Sequence, residues 1–228
     1  MRIINNNIIV SEYSIFEEYL RRDGEWVLVN TVNCEWFMGK WLALEFKIRF
    51  WDVYFLDYKN KCANLSMKIW KIDYFISDNL KIINFPTKKL YKLQSQIAWI
   101  EAWLVDLCLK IEKWLYDNEV IYIPKLWSSQ WWLEWGDIYS LIKERLLAIR
   151  NTKVKFIICE DIIPWEIEQK ILKKIKKCNS QVLYTKLRNK IKNDTIHIER
   201  LRDILKVRWV WEKLYKSILD FENNNSLF

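Results

Sequence analysis

Residues 29–50, VNTVNCEWFMGKWLALEFKIRF, constrain the fold more than any other stretch. The apolar run from Val27 to Val32 reads as a strand. A short polar turn holding Asn30, Asn33, Gly39 and Lys40 leads straight into a helix whose buried side would carry Leu42, Phe46, Ile48 and Phe50. A turn between a strand and a helix N-terminus offers unpaired backbone N–H groups and the positive end of the helix dipole to an anion. A phosphate-bearing ligand is therefore expected at this turn.

Strand and helix patterns alternate on both sides of it. Residues 1–10 read as a first strand ending at Asn5–Asn7, and 14–22 as a helix closed by Asp23 and Gly24. Residues 53–62 continue as helix and then loop. Residues 67–76 read as an apolar strand with a turn at Trp70, and 81–85 as a short strand broken by Pro86. Over 94–115, Ile97, Ile100, Leu104, Leu107, Ile111 and Leu115 recur at helical spacing. Residues 120–124 form a fully apolar strand, 125–135 a loop, 137–149 a helix and 153–159 a last strand. This alternation predicts a mixed, mainly parallel sheet covered on both faces, a three-layer α/β/α arrangement. Ligands of such sheets bind outside the carboxyl ends of the strands, so the loops 30–41, 85–92 and 125–135 should converge on one site.

Loops that approach a ligand closely are places for glycine, and here composition becomes informative. The chain has 3 glycines and 15 tryptophans, where ordinary usage would give roughly 16 glycines. Trp36, Trp41, Trp127, Trp131, Trp132, Trp209 and Trp211 all fall in turns where tight curvature or close ligand approach is expected. The pattern reads as UGA codons that the source decodes as glycine. A chain truly rich in tryptophan, built on aromatic stacking, is the alternative. At 51% hydrophobic and 29% charged residues the chain is globular, and no segment approaches the ~18 uninterrupted apolar residues of a membrane helix. The N-terminus is too short and polar for a signal peptide. The five cysteines (34, 62, 108, 159 and 178) are widely spaced with no CxxC pair. That favours a cytoplasmic location and argues against disulfides and structural zinc; no metal or cofactor is expected.

Three stretches carry a family resemblance. The first holds Val29–Asn33, Met38, Gly39, Lys40, Trp41, Ala43 and Phe46–Phe50; the second is 82–90, IINFPTKKL; the third is 121–138, IYIPKLWSSQWWLEWGDI. Together they resemble the macro domains, which bind ADP-ribose, and within them the DarG-like branch of DNA ADP-ribosyl-hydrolase antitoxins. The resemblance covers roughly residues 1–164, with 11–24 longer than usual. It implies that Asn30, Thr31 and Asn33 orient the distal ribose, amides being able both to donate to and accept from hydroxyls. It implies that the backbone of Met38, Gly39, Lys40, Trp41 and Ala43 holds the diphosphate, with Trp41 on a family glycine. Phe85, Pro86 and Thr87 would line the second loop. Lys88 matches the lysine that acts on the anomeric carbon, where partial burial would favour the neutral amine. Without the resemblance, Lys88 and Lys89 read as surface lysines.

In the third loop, Leu126, Trp127, Ser128, Ser129, Gln130, Trp131 and Trp132 match a glycine-rich stretch that wraps the diphosphate with main-chain N–H groups. Trp127, Trp131 and Trp132 stand on glycine positions, and Ser128 and Ser129 where the family has Cys and Gly. Trp135 falls on a family tryptophan. Related hydrolases that act on proteins carry an aspartate at the position of Trp131, and its absence leans toward the DarG-like branch. Asn7 matches a contact on the adenine side, and Cys159–Glu160 would border the same pocket.

After Pro164 the character changes. Residues 166–228 show no strand pattern and carry 15 Lys and Arg against 8 Asp and Glu, whereas the first 165 carry 22 against 21. Such charge segregation points to a polyanion, or otherwise to a lysine-rich solvated helical face. With Trp209 and Trp211 as glycine, residues 198–220 resemble a helix-hairpin-helix, a device that offers backbone N–H groups to DNA phosphates. Lys206, Arg208 and Lys213 would add counterion-release affinity. His197, the sole histidine, reads as structural.

The expected whole is a cytoplasmic macro domain over 1–164 and a small, basic, all-helical module over 165–228. Its expected activity is hydrolytic removal of ADP-ribose from DNA bases, with Lys88 as the catalytic amine and with a toxin as a possible partner. The competing readings are a non-catalytic ADP-ribose reader and a nucleic-acid-binding protein with a vestigial macro fold.

Overall fold

A computed structural model describes the chain apart from residues 21–25, 40, 78–79, 114–117, 126–133, 165, 178–181, 195–197, 199, 207–211 and 226–228. The expected first strand is folded back on itself as a hairpin of β1 (Arg2–Asn5) and β2 (Ile8–Ser11). The Asn5 Oδ1 makes the turn by accepting the N–H groups of Asn7 and Ile8 at 2.9 and 2.8 Å. The further strands are β3 (Trp26–Asn33), β4 (Asp73–Ser77), β5 (Leu80–Lys88), β6 (Val120–Pro124) and β7 (Lys155–Cys159). They join in the order β1-β2-β7-β6-β3-β5-β4. The inner strands β2, β7, β6, β3 and β5 are mutually parallel, and β1 and β4 pair antiparallel at the two edges. This is the mixed, mainly parallel sheet that the alternation predicted.

Strand periodicity assigns each side chain to one of two cores. Val27, Val29, Phe85, Ile121, Ile123 and Phe156 pack against α4 (Ile97–Glu112) and α5 (Trp135–Leu147). Leu28, Val32, Ile82, Tyr122 and Ile157 pack on the other face with α1 (Ile15–Leu20), α2 (Trp41–Arg49) and α3 (Leu56–Ala63). Burying each such side chain contributes about 1.5–3 kcal/mol. A capping box opens α1: the Ser14 N–H donates to Glu17 Oε2 at 3.0 Å and the Glu17 N–H to Ser14 Oγ at 3.3 Å. A single π-helical turn, Trp51–Phe55, joins α2 to α3.

Three expectations are corrected. Residues 67–72 are loop: Met67, Ile69 and Ile72 are buried without joining the sheet, Met67 in the core with α1–α3 and Ile72 in the core with α4 and α5, and the strand begins only at Asp73. Pro86 does not end its strand. The β4 ladder stops at Asn84, so the missing proline N–H falls where β5 has no partner on that side, while Pro86 still pairs with Val32 on the other. The long helix begins at Ile97, after Gln96 in extended conformation, and ends at Glu112.

The C-terminal stretch forms α6 (Glu166–Lys177), α7 (Val182–Asp194), a 3-10 turn (Leu201–Lys206) and α8 (Glu212–Asn225). Where a helix was expected before the hairpin there is this 3-10 turn; the hairpin positions themselves, and His197, lie outside the described residues. Ile171, Ile175, Tyr184, Leu187, Ile204, Tyr215 and Ile218 make a third core that takes in Ile48 of α2. Polar contacts add to it: Lys47 pairs with Glu212 at 2.9 Å, and Tyr215 donates to Glu45 at 3.2 Å. Arg200, 13% exposed, is ion-paired with Glu17, Asp161 and Glu168 at 3.2, 2.8 and 2.8 Å. No helix among the described residues is long and apolar enough to cross a membrane.

Candidate functional site

The sheet order makes β6, β3 and β5 neighbours, so the three motif-bearing loops leave three adjacent strands at one edge of the sheet. Asn33, the last residue of β3, pairs in register with Lys88, the last of β5. Adjacent strands lie about 4.8 Å apart, so the two residues are direct neighbours. The Cys34 N–H reaches the carbonyls of both Lys88 and Lys89 at 3.2 Å, tying the first loop to the second. From the same edge α2 starts at Trp41 and presents its N-terminal dipole there. On the other side of β3, the Lys125 N–H donates to the Cys159 carbonyl at 2.7 Å, where β6 gives way to the third loop.

The side chain of Asn33 shapes the first loop. Its Oδ1 accepts the N–H groups of Glu35 and Phe37 at 2.9 and 3.2 Å, and its Nδ2 donates to the Phe37 carbonyl at 2.7 Å. The Tyr58 hydroxyl donates to the Asn33 carbonyl at 2.7 Å. Asn30 lies in a second chain, buried up to its half-exposed end at Asp73. Its Nδ2 donates to the Tyr54 hydroxyl at 2.6 Å, that hydroxyl donates to Asn84 Oδ1 at 2.5 Å, and Asn84 Nδ2 donates to Asp73 at 3.0 Å. The Asn30 Oδ1 is a buried acceptor with no hydrogen-bond partner among the described residues.

Burial raises the Tyr54 and Tyr58 hydroxyls well above their ordinary range, so both stay protonated and remain donors. Burial, reinforced by neighbouring Cys62, pushes the Cys34 thiol up to about 11. Among the described residues no cluster of three or more His, Cys, Asp or Glu side chains could hold a metal ion.

No family model matches the chain. Over 127 residues it is 38% identical to the DNA ADP-ribosyl glycohydrolase of Mycobacterium tuberculosis, a match covering 53% of this chain and 34% of that protein. Over 131 residues it is 33% identical to the DNA ADP-ribosyl glycohydrolase of Thermus aquaticus, covering 56% of this chain and 36% of that one. The chain therefore spans about a third of the length of these curated relatives. The solved macrodomain of Mycobacterium tuberculosis DarG superposes with a TM-score of 0.54 at 30% identity, over 66% of this chain and 96% of that domain. The chain belongs to the macrodomain family. Within it, the chain falls in the DarG-like branch.

The macrodomain fold brings some of the sequence-derived site residues together and places others elsewhere. Asn33, half-buried Lys88, half-buried Thr31 and exposed Gly39 share the strand-end edge. A Cβ at Gly39 would lie 2.8 Å from the Phe37 ring, so a larger residue there would push that exposed ring aside. Ala43 lies half-buried in the first turn of α2. Met38 is 3% exposed in the core with Phe46, and Phe85 is fully buried, stacked on Trp103 at 3.8 Å. Only their main chain is left for a ligand. Pro86 and Thr87 are buried too, the Thr87 hydroxyl donating to the Val32 carbonyl at 3.4 Å. Lys40, Leu126, Trp127, Ser128, Ser129, Gln130, Trp131 and Trp132 lie outside the described residues.

Asn7 is corrected. It precedes β2, and its carbonyl accepts the Phe156 N–H at 2.7 Å near the start of β7. In parallel strands that is the amino-terminal edge, the opposite end of the sheet from the convergent loops. Ser11 and Cys159, paired at the carboxyl ends of β2 and β7, stand on the site's edge instead. Sequence reasoning also missed Tyr54 and Tyr58, which hold the two asparagines. Their spacing of four residues in a helical segment was the signal available.

Proposed function

We propose that this macrodomain is a DNA ADP-ribosyl glycohydrolase, which removes ADP-ribose from a DNA base and so antagonises a DNA ADP-ribosyltransferase toxin in the cytoplasm. The observation that carries this reading is the pairing of Asn33 with Lys88 on neighbouring strand ends beside the N-terminus of α2. That geometry suits one ligand with a ribose at the asparagine and an anionic diphosphate at the helix. The two relatives named as DNA ADP-ribosyl glycohydrolases support the choice of DNA.

In the proposed reaction the neutral Lys88 amine attacks the anomeric carbon of the distal ribose as the glycosidic C–N bond breaks. The departing base nitrogen takes the proton that the attacking amine gives up, and water then breaks the lysine N–C1 bond, its hydroxyl going to the anomeric carbon and its proton to the amine. Asn33 orients the ribose through the loop it shapes. The main chain of Met38–Ala43 and of 126–132 holds the diphosphate, and no metal or cofactor takes part. Residues 1–164 carry this activity. Residues 165–228 form the basic helical module, in which Lys206, Arg208, Trp209, Trp211 and exposed Lys213 meet DNA phosphates.

The proposal includes glycine at most positions written here as tryptophan. Trp36 has φ 59°, in the left-handed region that a bulky side chain enters only with strain. Trp103 is fully buried, yet its indole N–H has no partner among the described residues, whereas buried indoles normally find one. Mass spectrometry of the natively expressed protein should return peptides with glycine at residue 36; tryptophan there would refute the recoding.

The function is tested by incubating the full chain with an ADP-ribosylated single-stranded oligonucleotide and, separately, an ADP-ribosylated peptide. Free ADP-ribose is expected from the oligonucleotide. Release from the peptide alone, or ADP-ribose binding with no release from either, would overturn the hydrolase assignment.

A further inference from the structure

Phe37 and Tyr91 are large rings that neither sheet core claims. They are 47% and 40% exposed and stack on one another, with centroids 4.3 Å apart and planes 20° from parallel. One ring comes from the loop after β3 and the other from the loop after β5, three residues past Lys88. Both backbones are fixed. Asn33 holds Phe37 through its N–H and its carbonyl, and the Glu35 carboxylate accepts the Tyr91 N–H at 2.8 Å. The pair borders a cleft of about 360 Å³ that also meets Cys34, Cys62 and Ala63.

The charges around the rings are mostly of one sign. Lys89 and Lys92 flank Tyr91 in the chain, and the Lys92 ammonium lies 5.5 Å from the Tyr91 ring centroid. Lys68 and Lys89 both act electrostatically on Cys34 in the cleft, and exposed Lys59 stands on α3, the helix that gives Cys62 and Ala63 to the cleft. Glu35, the acid among them, is engaged with the Tyr91 N–H. Exposed rings interleaved with lysines are the arrangement on which unpaired bases stack while cations follow the backbone.

We propose that the Phe37–Tyr91 pair is a stacking platform that, with Lys59, Lys89 and Lys92, seats the single-stranded polynucleotide next to the base being processed. The platform rests on the hydrolase reading above and deepens it. The substrate is a single strand rather than a duplex, because a base inside a duplex has no free face to offer these rings, and rather than an isolated nucleoside, because the rings seat a neighbouring base. Stacking at such a site is sequence-tolerant, since every base presents a π-face.

The test compares kcat/KM for an ADP-ribosylated 12-nucleotide single strand with that for the ADP-ribosylated mononucleoside, using the full chain. The wild type should prefer the strand. The double variant Phe37→Leu/Tyr91→Leu should lose about tenfold or more of that preference, whereas Tyr91→Trp, which keeps a ring, should retain it. Lys59→Ala and Lys92→Ala should each reduce the dependence of log affinity on log salt by about 0.7. An unchanged preference in the double leucine variant would overturn the platform, as would equal losses in Tyr91→Leu and Tyr91→Trp. If neither substrate is turned over, the hydrolase reading fails by itself. Fluorescence anisotropy of a labelled, unmodified 12-nucleotide strand then decides the platform: loss of binding in the leucine variant, with tighter binding of single strand than of duplex by the wild type, supports it, and wild-type binding by the variant refutes it.

Discussion

Cys34 directly follows Asn33 at the site's edge, where a thiol could be mistaken for a nucleophile. Its burial holds the thiol protonated, with the ordinary value raised to about 11, and the thiol form is a poor nucleophile. At pH 7.5 iodoacetamide should label Cys34 far more slowly than a free thiol, with the rate climbing only as pH nears that value; rapid labelling at pH 7.5 would contradict the environment described. The tyrosine struts make a second expectation. Tyr54→Phe removes the hydroxyl that accepts from Asn30 and donates to Asn84, and should cost about 1–3 kcal/mol in urea unfolding. At this scale the sequence was partly legible. Asn33 and Lys88 could be marked because their stretches match the macro-domain pattern; without that match Lys88 reads as a surface lysine. The way Asn33 works, by holding the backbone of Glu35 and Phe37, depends on a loop path that no spacing encodes. Asn30 was equally visible, yet its amide is turned into a buried chain through Tyr54, a residue 24 positions away.

Elements were more legible than residues where a pattern met one competing force. The apolar runs of β3 and β6 and the helical repeat of α4 gave strand and helix correctly, since burial on a sheet face or helix stripe leaves a period in the sequence. Pro86 misled, because a proline breaks a strand only if its N–H position faces a ladder, and here β4 ends at Asn84. Pro86→Ala should therefore change stability by less than about 1 kcal/mol, a small effect for a buried strand residue; a loss above about 2 kcal/mol would show that the ring itself is needed for packing. The buried loop 67–72 misled for the opposite reason, since apolar residues of a loop packed into the cores look like residues of a strand. The Ser14–Glu17 capping box was present in the sequence as S-x-x-E. Ser14→Ala should cost about 1 kcal/mol, read as a shift in the urea midpoint.

For the whole molecule, the excess of basic charge after residue 165 was readable, but its inward-facing part was not. Arg200 sits among Glu17, Asp161 and Glu168, three carboxylates from separate parts of the chain, and Arg202 also pairs with Asp161. Arg200→Ala would strand buried acids and should cost about 3–5 kcal/mol. Burial opposes ionisation of Glu168, but its contacts with Glu17, Arg200 and the Leu201 N–H prevail and hold its carboxyl below the usual range. A lowered carboxyl contributes stability above its unfolded value of about 4.3, and that contribution is lost as pH falls through the folded one. Hydrogen exchange in α6 and α8 should therefore accelerate as pH drops below about 4 before the sheet loosens; simultaneous loss of both would contradict an ionic clamp on the C-terminal helices.

The claim joining these scales is that strand-end pairing places the Lys88 amine at the anomeric carbon of a bound ADP-ribosyl group. Release of ADP-ribose from a modified single-stranded oligonucleotide by Lys88→Ala, set beside calorimetric ADP-ribose affinity for the same variant, tests it most directly. The expected result is affinity within about threefold of wild type and a rate lower by about a hundredfold or more. Wild-type turnover by Lys88→Ala would contradict it.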